Sequence, residues 1–159
     1  MAAASSFAPV PPLTILSGGQ TGVDRAALDV AMERGMRCGG WCPARRQAED
    51  GPIDPRYPLR ETPTADPAQR TEWNVRGSDG TLLLVTGGHS RGTELTDEVA
   101  RRLGRPVYRW HPDALPDPHA FRRWLQIHKI RTLNVAGPRE SESPGVYAAA
   151  CAYLRAVLP

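Results

Sequence analysis

Three stretches of this 159-residue chain end a short apolar run with a polar, glycine-rich loop and then open a helix: Ser17 to Arg25, Thr86 to Glu94 and Ala136 to Ser143. A loop placed between a strand and a helix leaves backbone N–H groups unpaired at the helix start, and its glycines let a ligand approach the backbone. Three such loops that all follow strands belong on one edge of a parallel sheet, the carboxyl edge at which open α/β folds hold ligands. Each also carries an arginine, namely Arg25, Arg91 and Arg139. The expected ligand is therefore a phosphorylated or otherwise anionic small molecule in a shared electropositive hollow.

The apolar periodicity predicts five short strands, over 13–17, 36–41, 81–85, 106–110 and 132–136. Helices are expected over 23–33, 66–76, 94–103, 118–130 and 144–158. Strands alternating with helices make a three-layer α/β sandwich with a mostly parallel five-stranded sheet, for which right-handed crossovers give the expected order 2-1-3-4-5. That order would set the first two loops face to face across the switch point. Between Cys42 and Pro67 lies a proline-rich segment without sustained periodicity, of the kind that serves as a lid or binding loop.

Residues 1–12 are rich in Ala, Ser and Pro, match neither a signal peptide nor a membrane span, and read as a loose, disordered tail before a single ligand-binding domain over 13–159. With Cys38, Cys42 and Cys151 as its only cysteines, the chain is expected to be a reduced cytoplasmic protein. Cys38 and Cys42 lack a second Cys/His pair to complete a tetrahedral zinc site, so no metal site is assigned. Twenty Lys and Arg stand against 17 Asp and Glu, and Lys129 is the sole lysine. A surplus of +3 with no basic stripe argues against nucleic acid as a partner, and the apolar pattern offers no membrane partner.

Within the first loop, Gly18, Gly19 and Gly22 allow close backbone approach, Gln20 and Thr21 offer side-chain hydrogen bonds, and Asp24 and Arg25 open the helix. The spacing is neither the dinucleotide fingerprint nor a P-loop. In the second loop, Gly87, Gly88, Arg91, Gly92 and Thr93 suit an anion, Glu94 suits a base, and His89 is the one histidine in a candidate site. Capping by Thr93 with a first-turn Glu accounts for part of that pattern equally well. In the third loop, Gly137, Arg139, Glu140 and Ser141 are the candidates, and Ser143 before Pro144 reads as a helix cap. No catalytic residue is assigned.

The motifs Ser-Gly-Gly-Gln-Thr-Gly-Val-Asp-Arg (17–25), Arg-Thr-Glu-Trp-Asn-Val (70–75), Ser-Asp-Gly-Thr-Leu (78–82), Gly-Thr-Glu-Leu-Thr (92–96) and Leu-Asn-Val-Ala-Gly-Pro-Arg-Glu-Ser (133–141) together resemble the molybdenum carrier family. That family is related to molybdenum cofactor carrier proteins and to the Rossmann-like superfamily that includes the lonely-guy phosphoribohydrolases. The resemblance implies a Rossmann-like fold, a homo-oligomer, and a pocket for molybdenum cofactor (molybdopterin) or for a nucleotide. It also implies transfer to a molybdoenzyme or a cofactor-synthesis protein. A carrier rather than an enzyme is expected, because lonely-guy enzymes carry Pro-Gly-Gly-x-Gly-Thr-x-x-Glu, whereas here Thr86 replaces the proline and Thr96 the glutamate. Two alternatives remain: a nucleoside monophosphate phosphoribohydrolase with Glu94, Asp97 or Glu142 as the carboxylate, and a nucleotide-sensing module without catalysis.

Overall fold

The computed structural model describes residues 11–159, so most of the expected tail lies outside the described residues. The elements are β1 (Thr14–Leu16), α1 (Val23–Glu33), β2 (Cys38–Gly39), β3 (Trp41–Cys42), β4 (Gln47–Ala48), β5 (Gly51–Pro52) and β6 (Arg60–Glu61). They continue as α2 (Pro67–Arg76), β7 (Gly80–Leu84), α3 (Arg91–Arg102), β8 (Val107–Trp110), α4 (Pro118–Ile127), β9 (Thr132–Ala136) and α5 (Val146–Val157). The three-layer Rossmann-like α/β class is as expected, with a parallel five-stranded main sheet.

Within that class the strands run β2-β1-β9-β7-β8, so the last strand lies between the first and third of the five rather than at the edge, which corrects the order 2-1-3-4-5. Burial explains the placement: all of β7 and the three inner residues of β9 are buried, whereas β8 exposes Arg109. Two-sided burial belongs at the centre of a parallel sheet. The same order results when the first strand-helix unit of a 3-2-1-4-5 sheet is moved to the end of the chain. The switch-point crevice therefore falls between β9 and β7, flanked by the third and second loops, with the first loop beside the third.

Side-chain alternation divides the two faces of the sheet. Ile15, Leu82, Leu84, Leu133 and Val135 turn towards α1, α4 and α5, where they join Val30, Phe121, Tyr153 and Leu154 in the main core. Tyr153 stacks on Trp110 with ring centroids 3.9 Å apart, and burial of such a side chain contributes about 2 to 3 kcal/mol. The opposite face presents Thr81 and Asn134, joined by a 3.3 Å hydrogen bond, to α2 and α3. There the buried apolar cluster among the described residues is Val75, Val99 and Ala100, with the partly buried Leu95, Leu103 and Val107 packed against it. The sandwich is thus well filled on one side and lightly filled on the other.

The segment expected to be an irregular lid is an ordered excursion packed on α1. Ile53, Tyr57 and Leu59 bury themselves with Cys42 against Leu28. Arg46, at φ 53, sends its guanidinium to the carbonyls of Ile53 (3.0 Å), Asp54 (2.8 Å), Tyr57 (3.0 Å) and Leu59 (3.2 Å). One half-buried cation thereby satisfies the carbonyls of a turn that has little regular secondary structure. The antiparallel pair β4 and β5 carries Glu49 and Asp50 at its tip.

Candidate functional site

A cavity of about 800 Å³ opens where the lightly filled side of the sheet meets the carboxyl edge. Gly18 and Gln20 from the first loop, His89 to Gly92 and Glu94 from the second, and Gly137 and Arg139 from the third all line it. Helix α2 forms a further wall with Asp66, Pro67, Ala68, Arg70, Thr71 and Asn74, and Asn134 of β9 lies at its floor. Asp66 caps α2 by accepting from Ala68 N–H, with Pro67 at the first helical position, which fixes that wall where the chain leaves the excursion.

The first loop is largely occupied by the protein's own groups. Asp24 accepts from Gln20 N–H at 3.3 Å and lies 3.6 Å from Arg70, and burial of this carboxyl outweighs the pull of Arg70 and raises its pKa above 3.8. Arg25 is turned back onto the Gly19 carbonyl at 3.1 and 3.2 Å and onto Asp50 at 2.8 and 3.1 Å. Gly22, at φ 79, is required by contact, because a Cβ there would stand 2.5 Å from the Pro138 carbonyl. Gly19, Thr21, Gly22 and Arg25 accordingly do not line the cavity.

The third loop is tied to the first in the same manner. Thr21 Oγ1 accepts from Glu140 N–H at 3.1 Å and donates to Glu49, whose carboxylate also accepts from Ser141 N–H and hydroxyl. Burial would raise the Glu49 pKa, but the hydrogen bonds from Ser141 and Thr21, with Arg139 nearby, hold it below 4.5. Arg139 meets Glu142 at 3.0 Å and Glu49 at 3.6 Å. Helix α5 begins at Val146 rather than after a Ser143 cap, because the Glu140 carboxylate accepts from Gly145 N–H (2.6 Å) and Tyr147 N–H (2.9 Å).

The second loop differs. Helix α3 begins at Arg91, with Ser90 as its cap, accepting from the Thr93 N–H at 3.3 Å and from the Thr93 hydroxyl at 2.8 Å. Thr93 is therefore a buried partner of the cap and not the cap itself. Arg91 is exposed at the first helical position, and its guanidinium has no hydrogen bond or ion pair with any other described residue. Its N–H and that of Gly92 stand free at the positive end of a twelve-residue helix. Gly87, Gly88 and Gly92 have open space where a Cβ would be, and His89 meets Glu94 at 2.8 Å on the surface.

Of the residues singled out in the sequence, Gly18, Gln20, Asp24, Arg91, Gly92, Glu94, Gly137 and Arg139 come together on the cavity wall, while Gly87, Gly88, Thr93, Glu140 and Ser141 do not line it. The hollow is not simply electropositive: Asp24, Asp66, Glu94, Glu98 and Glu142 share its lining with Arg70, Arg91, Arg139 and His89. Asp97 pairs with Arg109 and Arg101 away from the cavity, and Thr96 donates to the Gly92 carbonyl at 2.7 Å. Arg70, Asn74 and Asn134 are additions that the loop argument missed. Their signal was present in Arg-Thr-Glu-Trp-Asn-Val and Leu-Asn-Val-Ala, polar residues on faces that bury. Asn74 also fastens β3 by pairing with both the N–H (2.8 Å) and the carbonyl (2.9 Å) of Trp41.

No curated protein matches the chain. Among solved structures, the crystal structure of "Putative molybdenum carrier protein" from Syntrophus aciditrophicus SB matches with a TM-score of 0.87 and 40% identity, over 94% of this chain and 97% of that one. The family model described as "Circularly permutated YpsA SLOG family" matches residues 15–158. A circular permutation is what the position of β9 in the sheet displays, and with that match the chain belongs to the circularly permutated YpsA SLOG family.

Proposed function

We propose that this protein binds and carries a phosphorylated anionic cofactor, molybdenum cofactor, in the cavity between α2 and α3. The reading is supported above all by the free start of α3, where Arg91 and unpaired N–H groups face the same 800 Å³ cavity that the first and third loops border. The phosphate rests there, and Arg139 adds a charge-assisted contact from across the crevice once it leaves Glu142. The cavity lining contains no cysteine, so the chain offers the metal no thiolate and holds the cofactor by its organic part. The cofactor supplies the metal chemistry; the protein's residues bind it, exclude water and release it to a molybdoenzyme or a cofactor-synthesis protein.

The test is anaerobic titration with molybdenum cofactor beside the same titration with adenosine monophosphate. Saturable binding of the cofactor, with slower oxidation of the bound form, is expected; absence of binding overturns the carrier reading. A second reading, hydrolysis of a nucleoside monophosphate, draws on Glu94 and Glu142 in the cavity wall. It requires release of free base when nucleotides are incubated with the protein, and Thr96 leaves the position of the lonely-guy glutamate without a carboxylate.

A further inference from the structure

We propose that Arg70 and Asn134 form an inner pole of the cavity that reads a lactam edge, a ring carbonyl beside a ring N–H, on the ligand whose anionic end rests at the start of α3. The inference rests on the binding role proposed above.

Asn134 is 3% exposed, yet it belongs to the cavity floor. Its Nδ2 donates to Thr81 Oγ1 at 3.3 Å, and its Oδ1 receives no hydrogen bond from any described residue. This oxygen is not among the buried side-chain atoms left without a partner, so it opens onto the cavity as an acceptor available to a ligand. Arg70 has a side chain only 11% exposed, with one terminal nitrogen 3.0 Å from the Gly18 carbonyl and 3.6 Å from Asp24. The remaining N–H groups of its guanidinium fork have no acceptor among the described residues.

Charge decides what such a pole accepts. The Asp24 carboxylate, 10% exposed, largely offsets Arg70, so a second anion would find little net attraction there, whereas a neutral carbonyl gains a donor. The free positive charge lies instead at Arg91. Leu16 pairs with Asn134 across the sheet and Gly18 follows two residues later, so the acceptor and the Arg70 anchor lie on neighbouring strand ends at one rim of the cavity. A ring edge that donates its N–H to Asn134 and accepts at its carbonyl from Arg70 satisfies both groups. Oxopurine nucleotides and phosphorylated oxopterins share this edge; adenine lacks it.

The test is calorimetric titration of the full chain with inosine monophosphate, adenosine monophosphate, a phosphorylated oxopterin and inorganic phosphate. Inosine monophosphate is expected to bind about tenfold more tightly than adenosine monophosphate, since the two differ at the ring edge and a mismatched edge strands buried polar groups. The tighter of the two oxo ligands identifies the purine or the pterin as the source. In Asn134→Ala the ratio between the two nucleotides falls towards one. Equal binding of the two nucleotides by the unaltered protein overturns the proposal without any variant having to fold, and so does a ratio preserved in Asn134→Ala. If phosphate binds and neither oxo ligand improves on it, the inner pole is wrong and the anion site stands; if phosphate also fails to bind, the anion site itself is wrong.

Discussion

Glu49 accepts hydrogen bonds from both the N–H and the hydroxyl of Ser141, a residue 92 positions further along the chain. Through this contact the tip of the β4–β5 hairpin, the first loop and the third loop become one polar joint, with Thr21 as the third member.

The joint makes stability depend on pH in a definite direction. The folded pKa of Glu49 lies below 4.5, so its contribution is complete above that value and is lost as pH falls through the lower folded value. Glu49→Gln is expected to cost about 1 to 2 kcal/mol at neutral pH and to flatten the acid limb of the stability profile. Urea midpoints across the acid range check both, and hydrogen exchange over the hairpin is expected to quicken first.

Glycines in the two kinds of loop are expected to answer differently to alanine. Gly22→Ala combines a positive φ with a backbone clash on Pro138 and should cost at least about 2 kcal/mol, visible as a lowered melting temperature. Gly88→Ala meets nothing and should stay within about 0.5 kcal/mol.

How far the sequence could be read follows from the same contrast. Periodicity and turn residues located the strands and helices to within a few residues, because apolar spacing and capping act locally, as at Asp66 with Pro67. Strand order was not legible, since insertion of β9 beside β7 depends on contacts between segments far apart in the chain. Glycine loops marked the correct rim but not their occupancy. Nothing local says that Asp24, Glu49 and Glu140 will fill the donors of two loops and leave those of α3 free.

The buried pair Asp24 and Arg70 offers a double-mutant cycle. Arg70→Met strands a carboxylate that burial already disfavours and should cost about 3 to 5 kcal/mol. Adding Asp24→Asn should recover a large part of that loss, so that the two changes are strongly non-additive in denaturant titrations.

Ligand affinity separates the loops. Arg91→Ala is expected to weaken a phosphorylated ligand by about tenfold and to reduce the salt dependence of binding, with melting temperature unchanged because the exposed Arg91 side chain makes no hydrogen bond or ion pair with any other described residue. Arg139→Ala should weaken binding as well, whereas Arg25→Ala should lower stability through the lost Asp50 pair and leave affinity nearly intact. Isothermal titration at two ionic strengths distinguishes these outcomes.

The central position of β9 has a consequence for biosynthesis. A ribosome completes β1, β2, β7 and β8 before it makes the strand that must slide between them, so the nascent chain holds two half-sheets with raw edges awaiting a keystone. The ligand crevice flanks that keystone, and competence to bind arrives with the final insertion rather than growing during translation.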